Sequence, residues 1–274
     1  MKKLLFLCLC SFALANPIII AEKAGFKDAP ENSLIALKLA LKNKADMIHI
    51  SVQPSKDKKL VLYHYKNLNT LSDKKGEVGD FNLKELKKIS ILTKEKIYNS
   101  DNLRILSLDE VLKKFPDTFF IIEPIANDSN EKEVAKILYE SVQKDLERIR
   151  IYSKNDKLLL SLNENIPKFA PYSKTFDKFL KAKISRTCET EEVPKTFYAF
   201  DFEKEVKILD EENEKNFKLT WDEETIRCFK QNEGEIFLFN ADSTEAYEKA
   251  KNLNIDAIFT SKPSLFKIIK APNF

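Results

Sequence analysis

Five polar residues stand where short apolar runs of this chain come to an end. Glu22 follows Ile18-Ile19-Ile20-Ala21, and His49 and Ser51 lie within Met47-Ile48-His49-Ile50-Ser51-Val52. His64 closes Leu60-Val61-Leu62-Tyr63, and Glu123 closes Phe119-Phe120-Ile121-Ile122. Histidine and carboxylate side chains are the usual general acids and bases, each contributing about 10²- to 10⁴-fold in rate when set against a reacting atom. His49 and His64 are the two histidines of the chain. With Glu22 and Glu123 they form a donor set that Zn²⁺ or another divalent transition metal accepts. Acid–base catalysis and metal ligation are the chemistries on offer; hydrogen bonding among neighbours, His49 to Ser51 or Tyr65 for instance, is the non-catalytic use of the same groups.

The elements that must position these residues follow from periodicity. Residues 17–22, 46–52, 59–65, 118–124, 148–153, 235–239 and 255–261 are short apolar or alternating runs that predict strands. Between them, amphipathic segments predict helices over 31–44, 107–115, 130–146 and 243–253. The first carries Leu34, Leu37, Leu39 and Leu41 in reach of one face, and the second is capped by Ser107 with Glu110 as its capping-box partner. Strand and helix alternating over this length predict a single-domain (β/α)8 TIM-type barrel, with a doubly wound open sheet as the alternative. Reactive groups of such a barrel lie at the C-terminal ends of its strands, where the five residues above fall.

Residues 1–15 read as a cleaved export signal: Lys2 and Lys3 precede the apolar run 4–13, and Ala13-Leu14-Ala15 supplies small residues at a cleavage site. The domain proper is then 16–274, and the protein is expected to be exported, periplasmic or secreted. A lipoprotein is the weaker alternative, because Leu precedes both Cys8 and Cys10. Without the two lysines and two cysteines of that stretch, the formal charge of +3 falls to +1 and the four cysteines to two. Near-neutrality argues against nucleic acid as partner, and the remaining 259 residues hold no apolar run long enough to span a membrane. Cys188 and Cys228 are expected to pair in an oxidising compartment. The 32% of charged residues reads as solvated helix surface, "DEENEKNFK" (210–218) being an example.

Several ordered stretches carry a family resemblance: "APENSLIALKLALKNKADMI" (29–48), "SKDKKLVLYHYKNLNTLSDKKGEV" (55–78), "NLKEL" (82–86), "ILSLDEVL" (105–112), "FIIEP" (120–124) and "NIDAIFTSKPSLF" (254–266). In these the chain resembles the glycerophosphodiester phosphodiesterases, relatives of the phosphatidylinositol phospholipase C-like barrels. By that resemblance strands are also placed within 168–173 and 196–200. The resemblance implies two histidines for acid–base work, three carboxylates holding a divalent cation and an arginine on phosphate.

At the matching positions this chain departs. Where the family has Ala-His-Arg-Gly, the histidine, arginine and glycine places are Glu22, Lys23 and Ala24; where it has Glu-x-Asp, the residues are His49 and Ser51. His64 keeps the second histidine, Glu123 keeps the third metal carboxylate, and Ser261 stands where the family's Thr-Asp-x-Pro has aspartate. Lys23 offers a phosphate only a point charge in place of arginine's fork, and Phe237 takes the place of a cavity-lining tryptophan. Trp221 reads as a packing residue.

The expectation is an exported pseudoenzyme whose altered mouth binds a phosphodiester, another small molecule or an envelope protein partner, without a cofactor. The alternative is an active phosphodiesterase with a remodelled site: His64 and Glu22 catalytic, Lys23 and Phe237 on the substrate, and Glu123 and His49 on one divalent transition metal.

Overall fold

The structure is a computed structural model describing residues 15–92, 103–126, 129–188, 195–210 and 213–267, with the side chains of 207–210 and 213–217 excluded. Residues 1–14, most of the stretch read as an export signal, lie outside the described residues.

Seven parallel strands form one curved sheet: β1 (Ile18–Ala21), β2 (Met47–Pro54), β4 (Phe119–Pro124), β5 (Ile149–Ile151), β6 (Phe197–Asp201), β9 (Glu235–Phe239) and β10 (Ala257–Thr260). Their spatial order is β5-β4-β2-β1-β10-β9-β6. The two ends are joined by residues 167–170. Ile151 N–H donates to Pro167 O, Phe169 N–H donates to Ile151 O, and Ala170 N–H donates to Phe197 O, at 2.8, 2.9 and 2.8 Å. This extended piece is the eighth stave, and it closes the sheet so that no edge is left open. The strand placed by resemblance at 168–173 is thus four residues of stave followed directly by a helix.

The barrel interior is filled by Ile20, Ile121, Tyr152, Phe169, Phe237, Phe239, Phe259 and smaller residues, a packed core and not a pore. Outside it lie α1 (Leu34–Lys42), α3 (Leu108–Lys114), α4 (Glu131–Val142), α5 (Asp156–Ser161), α6 (Tyr172–Leu180), α7 (Glu223–Phe229) and α8 (Thr244–Asn252), with α2 (Leu83–Leu86) a single turn. Ser107 caps α3 as expected, accepting from Glu110 N–H at 3.4 Å; its own hydroxyl, not its backbone, is what Glu110 holds, at 2.9 Å. Trp221 packs between Phe179 and Phe229 at 4.9 Å from each ring and donates Nε1–H to Asp201 O.

Four expectations are corrected. The helix expected from residue 31 starts at Leu34, because Ser33 is its N-cap and accepts from Ala36 N–H. Its buried face is Ala36, Leu37 and Ala40, with Leu34, Leu39 and Leu41 at the margins, since small residues let the helix approach the sheet closely. The 59–65 strand is β3 (Leu60–Leu62), which runs antiparallel to β2 as a hairpin arm and is not a barrel stave. Of the stretch 210–218 read as helix surface, Asp210 and residues 213–218 instead lie in a two-stranded ribbon, β7 (Glu203–Asp210) and β8 (Asn213–Thr220), between β6 and α7, and 211–212 lie outside the described residues. Cys188 and Cys228 are bonded, with Cα atoms 4.9 Å apart, tying the segment after α6 to α7.

Candidate functional site

The mouth at the C-terminal ends of the staves is built by three segments. The first turns sharply off β1: Lys23, Ala24 and Gly25 have φ of 45°, 63° and 85°. Gly25 is required there, because a Cβ would meet Pro263 at 2.9 Å. Ala24 occupies a left-handed conformation that glycine adopts without strain, and glycine is what the resemblance implies at this position. The turn aims Lys23 N–H at His49 Nδ1, 3.2 Å away. The second segment is "PEN". Asn32 accepts Ser51 N–H on Oδ1 at 3.1 Å, bolting the loop to β2, and Glu31 lies buried with Oε2 4.0 Å from Lys23 Nζ. The third is the pair β2–β4, whose register sets Ser51 opposite Glu123.

Alternation along β2 turns His49 and Ser51 to the same side as Glu123. Ser51 Oγ–H donates to Glu123 Oε2 at 2.9 Å. With its proton so committed, Ser51 Oγ receives its 3.0 Å contact with His64 from Nδ1–H. A carboxylate–hydroxyl–imidazole chain results, in which Glu123 fixes the ring of His64 through Ser51 and leaves the lone pair of the neutral ring on Nε2. His49 has the opposite tautomer: Nδ1 accepts from Lys23, so Nε2 carries the proton, pointing at Glu123 Oε2 from 3.6 Å without a hydrogen bond.

Burial sets the charges. It pushes His49 from 6.5 down to about 4, so this histidine is neutral at pH 7. It lifts Glu22 from 4.5 to about 7, against the pull of Lys23, and it raises Glu31, again opposed by Lys23. Burial would also raise Glu123, but the approach of His64 Nδ1 to 3.5 Å, the charges that His49 and His64 carry when protonated and the Ser51 hydroxyl outweigh it and hold the carboxyl at about 2. The pair His49–Glu123 is therefore no ion pair at neutral pH.

Residues 23–265 match the glycerophosphoryl diester phosphodiesterase family. The chain belongs to that family. It is 22% identical over 267 residues to the uncharacterized protein Rv2277c of Mycobacterium tuberculosis, covering 90% of this chain and 88% of that one. It is 29% identical over 165 residues to a glycerophosphodiester phosphodiesterase of Caldanaerobacter subterraneus, covering 57% of this chain and 64% of the relative. The crystal structure of the phosphodiesterase domain of Rv2277c superposes with a TM-score of 0.82 at 20% identity, over 94% of this chain and all of that domain. An Oleispira antarctica phosphodiesterase, solved with its product sn-glycerol-3-phosphate, gives 0.67 at 18% identity, over 93% of this chain and 98% of that one. These likenesses establish a TIM barrel of the glycerophosphodiester phosphodiesterase type.

Against the family pattern, Glu22, Lys23, His49, His64 and Glu123 are all brought to the mouth. Phe237 is not on an accessible surface: it is fully buried, 4.9 Å from the ring of Phe169, and Phe239 above it stacks on Phe259 at 3.8 Å. His64, not His49, takes Ser51. Sequence reasoning gave no role to Glu31, Asn32 or Asp242; Asn32 was within reach as part of "PEN". The carboxylate missing at Ser261 is supplied from the neighbouring loop, where Asp242 accepts from Ser261 N–H and Oγ–H, Thr260 Oγ1–H and Lys27 Nζ.

A divalent cation does not fit this donor set. Nε2 of His49 bears a proton and Nδ1 is occupied, the Ser51 hydroxyl is spent on Glu123, and Glu123 is the one anionic oxygen donor left of the family's three. Among the described residues no three His, Cys, Asp or Glu side chains converge as metal ligands.

Proposed function

We propose that this protein is an exported pseudoenzyme of the glycerophosphodiester phosphodiesterase family, which binds a small phosphodiester at the barrel mouth without a divalent cation and does not hydrolyse it by the family's metal-assisted route. The observation that carries this reading is the closure of Glu123, Ser51 and His64 on one another beside a neutral His49, where cation ligands belong in the family. Lys23 remains at the place of the phosphate-binding arginine, and the product complex of the Oleispira relative shows glycerol phosphate held by that protein. Export is supported by the N-terminal lysines and apolar run and by the Cys188–Cys228 bond.

A second reading, a remodelled hydrolase, draws on Glu22. A carboxyl near pH 7 stands where the family has its first histidine, and the Nε2 lone pair of His64 is the matching base. Release of glycerol phosphate from glycerophosphodiesters, assayed with and without Mg²⁺, Ca²⁺, Mn²⁺ and Zn²⁺, separates the two. The pseudoenzyme predicts no turnover under any condition alongside measurable binding. Turnover lost in both Glu22→Gln and His64→Ala would establish the hydrolase instead.

A further inference from the structure

Three consecutive staves end in a rim that the family resemblance does not account for. Lys154 follows β5, Tyr172 opens α6 just after the eighth stave, and Lys204 follows β6. The ammonium groups of Lys154 and Lys204 each lie 5.8 Å from the centroid of the Tyr172 ring. That ring is fixed from beneath by Phe200 at 5.6 Å and by Phe176 at 6.4 Å. Two cations over one ring repel each other, and the carboxylate present balances one of them: Asp201 holds Lys204 at 3.1 Å. Lys154 is exposed and has no carboxylate within 4.0 Å among the described residues.

This rim shares the mouth with the floor. Lys154 lies just past the C-terminal end of β5, and Glu22 and Lys23 lie just past that of β1, so all three stand on the face where the staves end. Lys23 has its own aromatic surround, Phe26 at 5.4 Å and Tyr65 at 5.7 Å. The mouth thus presents two cationic centres, one at the family's phosphate position and one on the rim beside Tyr172.

We propose that the ligand carries a second anionic group, a phosphate or carboxylate on its head group, which Lys154 and Lys204 bind beside Tyr172 while Lys23 holds the phosphodiester. This rests on the reading of the mouth as a ligand site. A cationic head group, choline or ethanolamine, meets like charge at the same place and is rejected.

The test is calorimetric titration of the full-length chain with three probes: glycerophosphoinositol phosphate, glycerophosphoinositol and glycerophosphocholine. The expected order of affinity is the order given, with about tenfold between the first two, the scale of one charge-assisted contact. Lys154→Glu should abolish that difference, with a thermal melt of the variant checking that it is folded. Equal affinity for the first two probes, or an unchanged preference in Lys154→Glu, would overturn the rim site and leave the ligand reading standing. Binding of none of the three would overturn the ligand reading, and the rim site with it.

Discussion

Replacing Glu22 by glutamine removes a titration while keeping the side chain's shape. Burial lifts this carboxyl from 4.5 to about 7. Above pH 4.5 the unfolded chain releases the proton that the folded chain keeps until about pH 7. The stability conferred by the raised pKa is therefore complete below 4.5 and lost as pH rises through 7. At about 1.4 kcal/mol per pH unit the loss is about 3 kcal/mol. His49 acts in the opposite sense. Its pKa is lowered from 6.5 to about 4 by burial, so its contribution is present above 6.5 and lost as pH falls to 4, again by about 3 kcal/mol. In the wild type the two slopes oppose each other across nearly the same range. Glu22→Gln should remove this opposing slope, gaining on the wild type by about 3 kcal/mol between pH 4.5 and 8. At roughly 2–4 °C per kcal/mol this is about 6–12 °C in Tm. Thermal melts of both proteins at matched ionic strength read it directly. A Tm difference that is constant with pH, or that shrinks as pH rises, would refute the burial argument for Glu22.

Ser51→Ala should cost about 1–3 kcal/mol in urea unfolding, because the link between Glu123 and His64 is lost. Ring-nitrogen NMR should at the same time show His64 losing its preference for the Nδ1–H tautomer. Ala24→Gly should stabilise by about 1 kcal/mol, since Ala24 is held at φ 63°; a loss of stability would show that the turn is not strained. Reducing Cys188–Cys228, which closes a loop with a separation of 40 residues, should lower stability by up to about 4 kcal/mol, read as a drop in Tm on adding dithiothreitol.

Much of the barrel was legible because its staves are short apolar runs and its helices are capped by residues whose role is local, Ser107 and Ser243 among them. The eighth stave was placed only by resemblance, since its identity lies in backbone bonds to β5 and β6 and not in a pattern of its own. The stretch 210–218 was read as helix surface because Lys and Glu favour helices on their own; for its part in β8, cross-strand pairing such as Glu205 with Lys218 and Val206 with Phe217 decides otherwise. At the site, strand ends singled out Glu22, His49, Ser51, His64 and Glu123, and the fold brings the last four within 3.6 Å of one another through Glu123 and Ser51. Hydrogen-bond partners were not legible, because tautomers depend on a backbone N–H from Lys23 and a hydroxyl from Ser51 that only the fold brings up. Phe237 and Phe239 share one side of β9, and sequence gives no depth along the barrel axis by which to choose between them.

With one carboxylate left of the family's three, the mouth is expected to bind no divalent cation. Calorimetric titration of the purified, chelator-free protein with Ca²⁺, Mg²⁺, Mn²⁺ and Zn²⁺ tests it most directly, with Glu123→Gln in parallel. No saturable binding attributable to the mouth is expected, and the variant should give the same traces. Binding of about one equivalent that Glu123→Gln abolishes would contradict it.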